Sequence, residues 1–274
     1  MCSRIGCVAF LVGVFAAPAG AIVTEDTPTS EADPTTAIGL NWDYVYHYKG
    51  SSAVAVDPYW LLTAAHVADD APSWNMTLGA TTYTEQEVVE HKPSADPDHS
   101  TTADLALVRL DRALPGHYEI YTGAFPAPAA LVGFGYAGTV ATDGESYAWT
   151  SGTEGTKRWG TNKVDDETTI TYDGLVLGFS TNTDATTYEA GVAVHDSGGG
   201  LFVQDADDGD VWKLGGTITT VFGTEGAFTG SGAVEVGAYD TWITNTVPEP
   251  ATLILLAGGS AGLILRRRRK STAA

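Results

Sequence analysis

Val192-Ala193-Val194-His195-Asp196-Ser197-Gly198-Gly199-Gly200-Leu201-Phe202 sets one serine between an acid and three glycines, with an apolar run resuming at once. Glycine reaches backbone angles that other residues reach only under strain. A serine on such a turn presents its hydroxyl outward while neighbouring N–H groups converge on one point. Nucleophilic acyl transfer needs that combination of an activated hydroxyl and donors for a developing oxyanion. A plain Ser/Gly turn between two strands would use the same residues. Two other stretches decide between these readings.

In Tyr59-Trp60-Leu61-Leu62-Thr63-Ala64-Ala65-His66-Val67 an apolar, strand-like run ends in small residues and then a histidine. Histidine is the side chain best suited to shuttling protons near neutrality. In Ala103-Asp104-Leu105-Ala106-Leu107-Val108-Arg109-Leu110 an aspartate heads a strongly apolar strand. A carboxylate fixed there can hold an imidazole's tautomer and stabilise the imidazolium. Each residue alone reads as a strand-end cap. Together, in the order His, Asp, Ser, they point to catalysis.

The blocks Thr63-Ala64-Ala65-His66, Asp104-Leu105-Ala106-Leu107 and Asp196-Ser197-Gly198-Gly199 resemble the signature blocks of trypsin-like serine proteases of the chymotrypsin fold. The resemblance spans residues 22–246. It implies an all-β protein of two six-stranded antiparallel β-barrels with the site between them, and peptide-bond hydrolysis through an acyl-enzyme. It implies His66 as general base and acid, Asp104 as its orienting partner and Ser197 as nucleophile, with protein or peptide substrates and no metal or cofactor. The backbone N–H groups of His195 and Ser197 would form the oxyanion hole. The family carries glycine where this chain has His195. The loop then takes the same conformation under strain, rearranges on substrate binding, or lacks a donor worth about 10²–10³-fold in rate.

The pattern of the chain agrees with an all-β fold. Short apolar stretches from Ala37 to Leu114, and again from Ala130 to Val236, are separated by turn residues. No long helical period interrupts them. Residues 24–37, rich in Thr, Pro and acids, read as an extended surface segment. Residues 238–244 read as a short closing helix. Lys157 and Arg158 belong either to a substrate loop or to a strand with a structural arginine. Asp205, Asp207, Asp208 and Asp210 lack the EF-hand spacing and read as a hairpin turn, with loose Ca²⁺ binding as the alternative. Ser197 lacks the Gly-x-Ser-x-Gly elbow of esterases and lipases, and no βαβ pattern accompanies it.

Both ends of the chain carry targeting signals. Arg4, the apolar run Val8 to Ala17 and Ala19-Gly20-Ala21 compose a secretory signal over residues 1–21, removed by signal peptidase. Cys2 and Cys7 lie within it, so the exported chain has no disulfide and no cysteine-based metal site. Cleavage would leave Ile22 as the new N-terminus. The resemblance implies that its ammonium pairs with Asp196 and orders the Ser197 loop. It also implies that Gly191, six residues before the nucleophile, floors the primary pocket, with Thr219 on one wall. An uncharged Gly191 argues against a preference for basic residues.

At the other end, Pro248-Glu249-Pro250 precedes an apolar run, Leu253 to Leu265, and then Arg266-Arg267-Arg268-Arg269-Lys270. The run is short for a full membrane span of about 20 residues, and the basic cluster would stay cytoplasmic. Residues 247–270 resemble a PEP-CTERM sorting signal. That resemblance implies a Gram-negative source, transient inner-membrane anchoring, cutting by an exosortase-type enzyme, and delivery to the cell surface or matrix. Residues 22–247 hold 8 Lys and Arg against 33 Asp and Glu, a net charge of −25. So acidic a surface argues against nucleic acid as a partner. Three functions follow: an exported serine endopeptidase, a weak or inactive protease fold that binds surface partners, or a structural matrix component.

Overall fold

Most apolar stretches among the described residues become buried strands. The computed structural model describes residues 22–24, 27–68, 74–169, 172–182 and 184–247. The secretory signal, Pro248-Glu249-Pro250 and the basic tail lie outside them. Among the described residues no helix is long and apolar enough to cross a membrane.

The first half forms a six-stranded antiparallel sheet from β2 (Val45–Tyr48), β3 (Ser51–Asp57), β4 (Trp60–Thr63), β5 (Asn75–Leu78), β6 (Thr81–Glu90) and β7 (Ala106–Leu110), in the order β2-β3-β4-β7-β6-β5. Alternate side chains leave opposite faces of a strand. Curling therefore sends one set, including Ala53, Leu61, Val108 and Leu110, into the interior of this half. The other set, including Val54, Leu62 and Leu107, meets Val132, Phe202 and Val234 of the second half. Each such aliphatic side chain, fully buried, contributes about 1.5–3 kcal/mol.

The second half contains β8 (Ala129–Gly133), β9 (Gly138–Val140), β10 (Tyr147–Trp149), β11 (Arg158–Asn162), β12 (Asp166–Thr169), β13 (Asp173–Gly178), β15 (Gly200–Asp205), β16 (Val211–Thr224) and β17 (Ala227–Glu235). Its path runs β11-β8-β15-β16-β17-β10-β9, with β13 on β17 and β12 on β13. The expected count of six becomes nine. The additions β9, β10 and β12 are three or four residues long. They lie in Gly-, Thr- and Asp-rich sequence with too few apolar positions to show alternation. A separate two-stranded ladder pairs β1 (Val23–Thr24) with β14 (Ala190–Gly191), in register Val23 with Gly191.

Two further expectations change. The segment expected to be extended contains two short helices, α1 (Thr27–Glu31) and α2 (Thr35–Ile38). Asp33 accepts the Thr35 N–H at 2.8 Å, and Gly39 ends α2 in the left-handed region at φ +76°. The closing helix is α4 (Asp240–Thr246), two residues later than expected. Its Trp242 is fully buried against both halves. Arg158 is the structural arginine of a strand: it is buried in β11 and paired with Glu31.

Candidate active site

The apolar run of β4 delivers His66. Leu61, Leu62 and Thr63 are fully buried, and the chain then turns into α3 (Ala65–Ala68), which carries the histidine. Asp104 stands at the head of β7, preceded by fully buried Ala103. Its Oδ1 accepts the His66 backbone N–H at 3.0 Å, and its Oδ2 meets His66 Nδ1 at 2.7 Å. A carboxylate oxygen only accepts, so Nδ1 carries the proton and Nε2 is the basic atom of the neutral ring. Burial pushes the Asp104 carboxyl up, but hydrogen bonds from the His66 side chain and backbone outweigh it and hold the group below its usual value.

The Ser197 turn is built on a carboxylate that sees no solvent. Asp196 is fully buried; its Oδ1 accepts the Gly135 N–H at 2.7 Å. Its Oδ2 accepts Ala193 N–H at 2.8 Å and Ile22 N–H at 3.3 Å. Burial raises its pKa to about 7, against those hydrogen bonds and the charge of Arg158. Gly135 is required by close approach, since a Cβ there would lie 2.5 Å from the Val194 carbonyl oxygen. Gly198 is required twice over. It sits at φ +79°, and a Cβ would lie 2.0 Å from the Ser52 carbonyl oxygen.

His195 adopts φ +75°, the left-handed region that favours glycine. Histidine is among the side chains that visit it most readily. Its ring is held by Tyr136, with Nε2 to Oη at 3.2 Å and ring centroids 4.8 Å apart. The Val194 carbonyl accepts the Tyr136 N–H at 2.9 Å. In a trans peptide the following N–H points the opposite way, so the His195 N–H is turned from Tyr136. The Asp196 carbonyl accepts the Gly199 N–H at 2.8 Å, which turns the Ser197 N–H likewise. Neither N–H is engaged by another described residue.

His66 and Ser197 line one cleft of about 310 Å³, walled by residues 192–195 and 218–221. Thr219 is on that wall. Gly191 does not line the cleft. It pairs with Val23, and a Cβ on it would lie 2.3 Å from the Tyr147 ring. The Tyr147 hydroxyl donates to Val192 O at 2.9 Å and reaches Gly230 O at 3.2 Å. Tyr147 belongs to one hydrophobic cluster with Ala193, against which Val221 also packs, and both of these wall the cleft. Tyr136 and Tyr147 are site residues that the sequence reading missed, since neither belongs to a motif.

The Asp205 loop is not arranged for calcium. The Lys213 ammonium lies 2.9 Å from both Asp205 and Asp208 and 3.4 Å from Glu119, so a cation of the chain itself takes that place. The hairpin expected there brings Lys213 in from the opposite strand.

The family model described as Trypsin matches residues 31–243. That described as the PEP-CTERM protein-sorting motif matches residues 246–269. No curated protein matches the chain. With the conserved-domain match spanning most of its length and both curled sheets in place, the chain belongs to the trypsin family and ends in a PEP-CTERM sorting motif.

Proposed function

We propose that the protein is an exported serine endopeptidase that cleaves peptide bonds through Ser197, His66 and Asp104. The observation that carries this reading is the 2.7 Å His66–Asp104 contact on one cleft with Ser197. Ser197 Oγ attacks the scissile carbonyl while His66 Nε2 takes its proton. Asp104 stabilises the imidazolium, and the His195 and Ser197 N–H groups receive the oxyanion. His66 then returns the proton to the leaving amine, leaving an acyl-enzyme. Water deprotonated by His66 attacks the acyl carbon, and Ser197 leaves as its hydroxyl. A weak or inactive binding protein is less well supported, because His195 keeps a left-handed backbone with its N–H turned from Tyr136.

Signal peptidase is assigned the release of Ile22, whose ammonium would pair with Asp196. An exosortase-type enzyme is assigned the cut near Pro248-Glu249-Pro250, after transient inner-membrane anchoring, with the cell surface or matrix as destination. The test uses the protein beginning at Ile22. A fluorophosphonate probe is expected to label it once, with the adduct mapped to Ser197. A folded protein that stays unlabelled would overturn the reading.

The cleft also sets a preference. Apart from His66 and His195 its lining has no titratable group, and Tyr147 shares a hydrophobic cluster with its wall residue Ala193. Cleavage is therefore expected after small apolar residues. Peptides with Ala before the scissile bond should exceed those with Phe by about 10–100-fold in kcat/KM, the discrimination a few methylenes give. Tyr147→Ala should narrow that ratio while Tyr147→Phe keeps it. Equal cleavage after Ala, Phe and Lys by the wild type would refute the preference.

A further inference from the structure

The loop between β6 and β7 carries a second set of histidines and acids that the proposed reaction does not use. His91, Asp96 and His99 bring ligand-type atoms within 4.8 Å of one another. The hydrogen bonds argue against a metal there. His91 Nδ1 accepts the Ala103 N–H at 3.0 Å, so its proton sits on Nε2 and is given to Asp96 Oδ2 at 3.0 Å. A metal-bound imidazole does the reverse and donates its second N–H to an acceptor. His99 offers its nitrogens to two different carboxylates, Asp96 Oδ2 at 2.8 Å and Asp173 Oδ2 at 3.0 Å. That is a bridge between acids.

Carboxylates only accept, so both His99 nitrogens must donate, and the arrangement suits an imidazolium. Asp173 opens β13 in the second half, while His99 and Asp96 belong to the first. The hydrogen bonds therefore run from Asp173 through His99, Asp96 and His91 to the N–H of Ala103, the residue before Asp104. The carboxyl of Asp96 is also held by the Asp98 N–H at 2.9 Å. The rings have little room to leave. His99 stacks on Tyr239 at 4.2 Å, and His91 meets Tyr239 and Trp242 edge-on at 4.9 and 5.1 Å.

We propose that this chain of hydrogen bonds is a pH-sensitive clasp between the two halves that positions Asp104, with His99 as the positioning residue that opens it. The groups facing His99 are Asp96 from its own loop, Asp173 from β13, the His91 ring at 6.1 Å and Tyr239. Burial pushes the Tyr239 hydroxyl up to about 12, so it stays protonated, and it accepts the Asp173 N–H at 3.0 Å. When His99 loses a proton, one of its nitrogens presents a lone pair to a carboxylate and that contact turns repulsive. The clasp is thus closed at lower pH and opens as pH rises. Ala103 and Asp104 are then less firmly held against His66.

The functional consequence rests on the peptidase reading; the clasp itself does not, and the experiment separates them. The protein beginning at Ile22 is followed from pH about 5 to about 9 by two readouts. One is exchange of the Ala103 amide by NMR, corrected for its intrinsic pH dependence. The other is the rate of fluorophosphonate labelling. In the wild type, Ala103 protection is expected to fall about tenfold across this range; labelling, which loss of the His66 proton accelerates as pH rises, is read as the ratio to Asp173→Asn at the same pH. Asp173→Asn supplies an amide N–H₂ that donates to neutral His99. It should keep Ala103 protected across the whole range and label faster than the wild type at its high-pH end. His99→Gln should give weak, pH-independent protection. Peptide KM should not change in either variant. Ala103 exchange that superimposes in wild type and Asp173→Asn, or does not vary with pH in the wild type, would overturn the clasp. Clasp behaviour in a protein that never labels would overturn the peptidase reading alone.

Discussion

Ser197→Ala and His66→Ala are each expected to lower kcat by about six orders of magnitude, and the double variant to be no worse than either. In the proposed mechanism the two side chains perform one step together. Without Ser197 there is no oxygen to acylate, and without His66 no group removes its proton. The His66 ring is fixed for that task by Asp104, at 3.0 Å on the backbone and 2.7 Å on Nδ1. Asp104→Asn probes the same geometry more finely. An amide can turn its N–H₂ toward Nδ1, move the ring proton to Nε2 and present the wrong tautomer, costing about 10⁴-fold. A residual rate about 10³–10⁴ above water should survive all three changes, carried by the His195 and Ser197 N–H groups and the cleft. Steady-state kinetics on an Ala-containing peptide, with active sites counted by probe titration, measures each term. A double variant far slower than the singles would mean that Ser197 and His66 act independently, and the triad reading would fail.

What the sequence made legible was local, and what it hid was long-range. His66, Asp104 and Ser197 were readable because each sits where an apolar strand meets a turn, a pattern confined to fewer than a dozen residues. Much of the six-stranded first half was readable for the same reason, since runs such as Trp60 to Leu62 and Leu105 to Leu110 are short, apolar and bounded by turn residues. β9, β10 and β12 were not, because three or four residues are too few to show an alternation. Tyr147 lies 44 residues before Gly191, and only the folded chain shows its ring filling the space that a residue count had assigned to a pocket floor. His99 and Asp173 are 74 residues apart, and neither is unusual alone. The acids at residues 205–210 read as the hairpin turn they form, but their partner Lys213 was hidden because it is a pairing feature. In the hairpin, Asp205 lies opposite Val211 and Val203 opposite Lys213. That places the lysine one diagonal step from the acid.

A chain that keeps the bond between residues 21 and 22 is expected to be about 10²–10³-fold less active than one beginning at Ile22, and less stable at neutral pH. Two observations favour release. Ile22 sits at φ +52°, a conformation that a β-branched residue reaches only under strain of about 1–3 kcal/mol. That torsion involves the preceding carbonyl, so cleavage abolishes it. The Ile22 nitrogen also lies 3.3 Å from Asp196 Oδ2, where an amide offers one hydrogen bond and an ammonium offers a charge as well. Burial holds the Asp196 carboxyl near pH 7, well above its unfolded value. A raised acid favours folding when protonated, so the uncleaved chain has this stability at low pH and loses it as pH rises toward 7. Over that range the loss is at most about 4 kcal/mol. The ammonium reverses the balance by pairing with the ionised carboxylate, so the cleaved form should gain Tm over the uncleaved form as pH rises from about 4 to about 7. At still higher pH the amine loses its proton and the advantage declines. Asp173→Asn should leave that decline unchanged, which distinguishes it from the His99 clasp. Asp196→Asn, which leaves the ammonium buried and unpaired, should cost about 3–5 kcal/mol and match the uncleaved chain in activity. Thermal melts and probe labelling of the three proteins across pH give the answer. Equal Tm and equal labelling of cleaved and uncleaved chains at neutral pH would mean that the Ile22–Asp196 contact orders nothing.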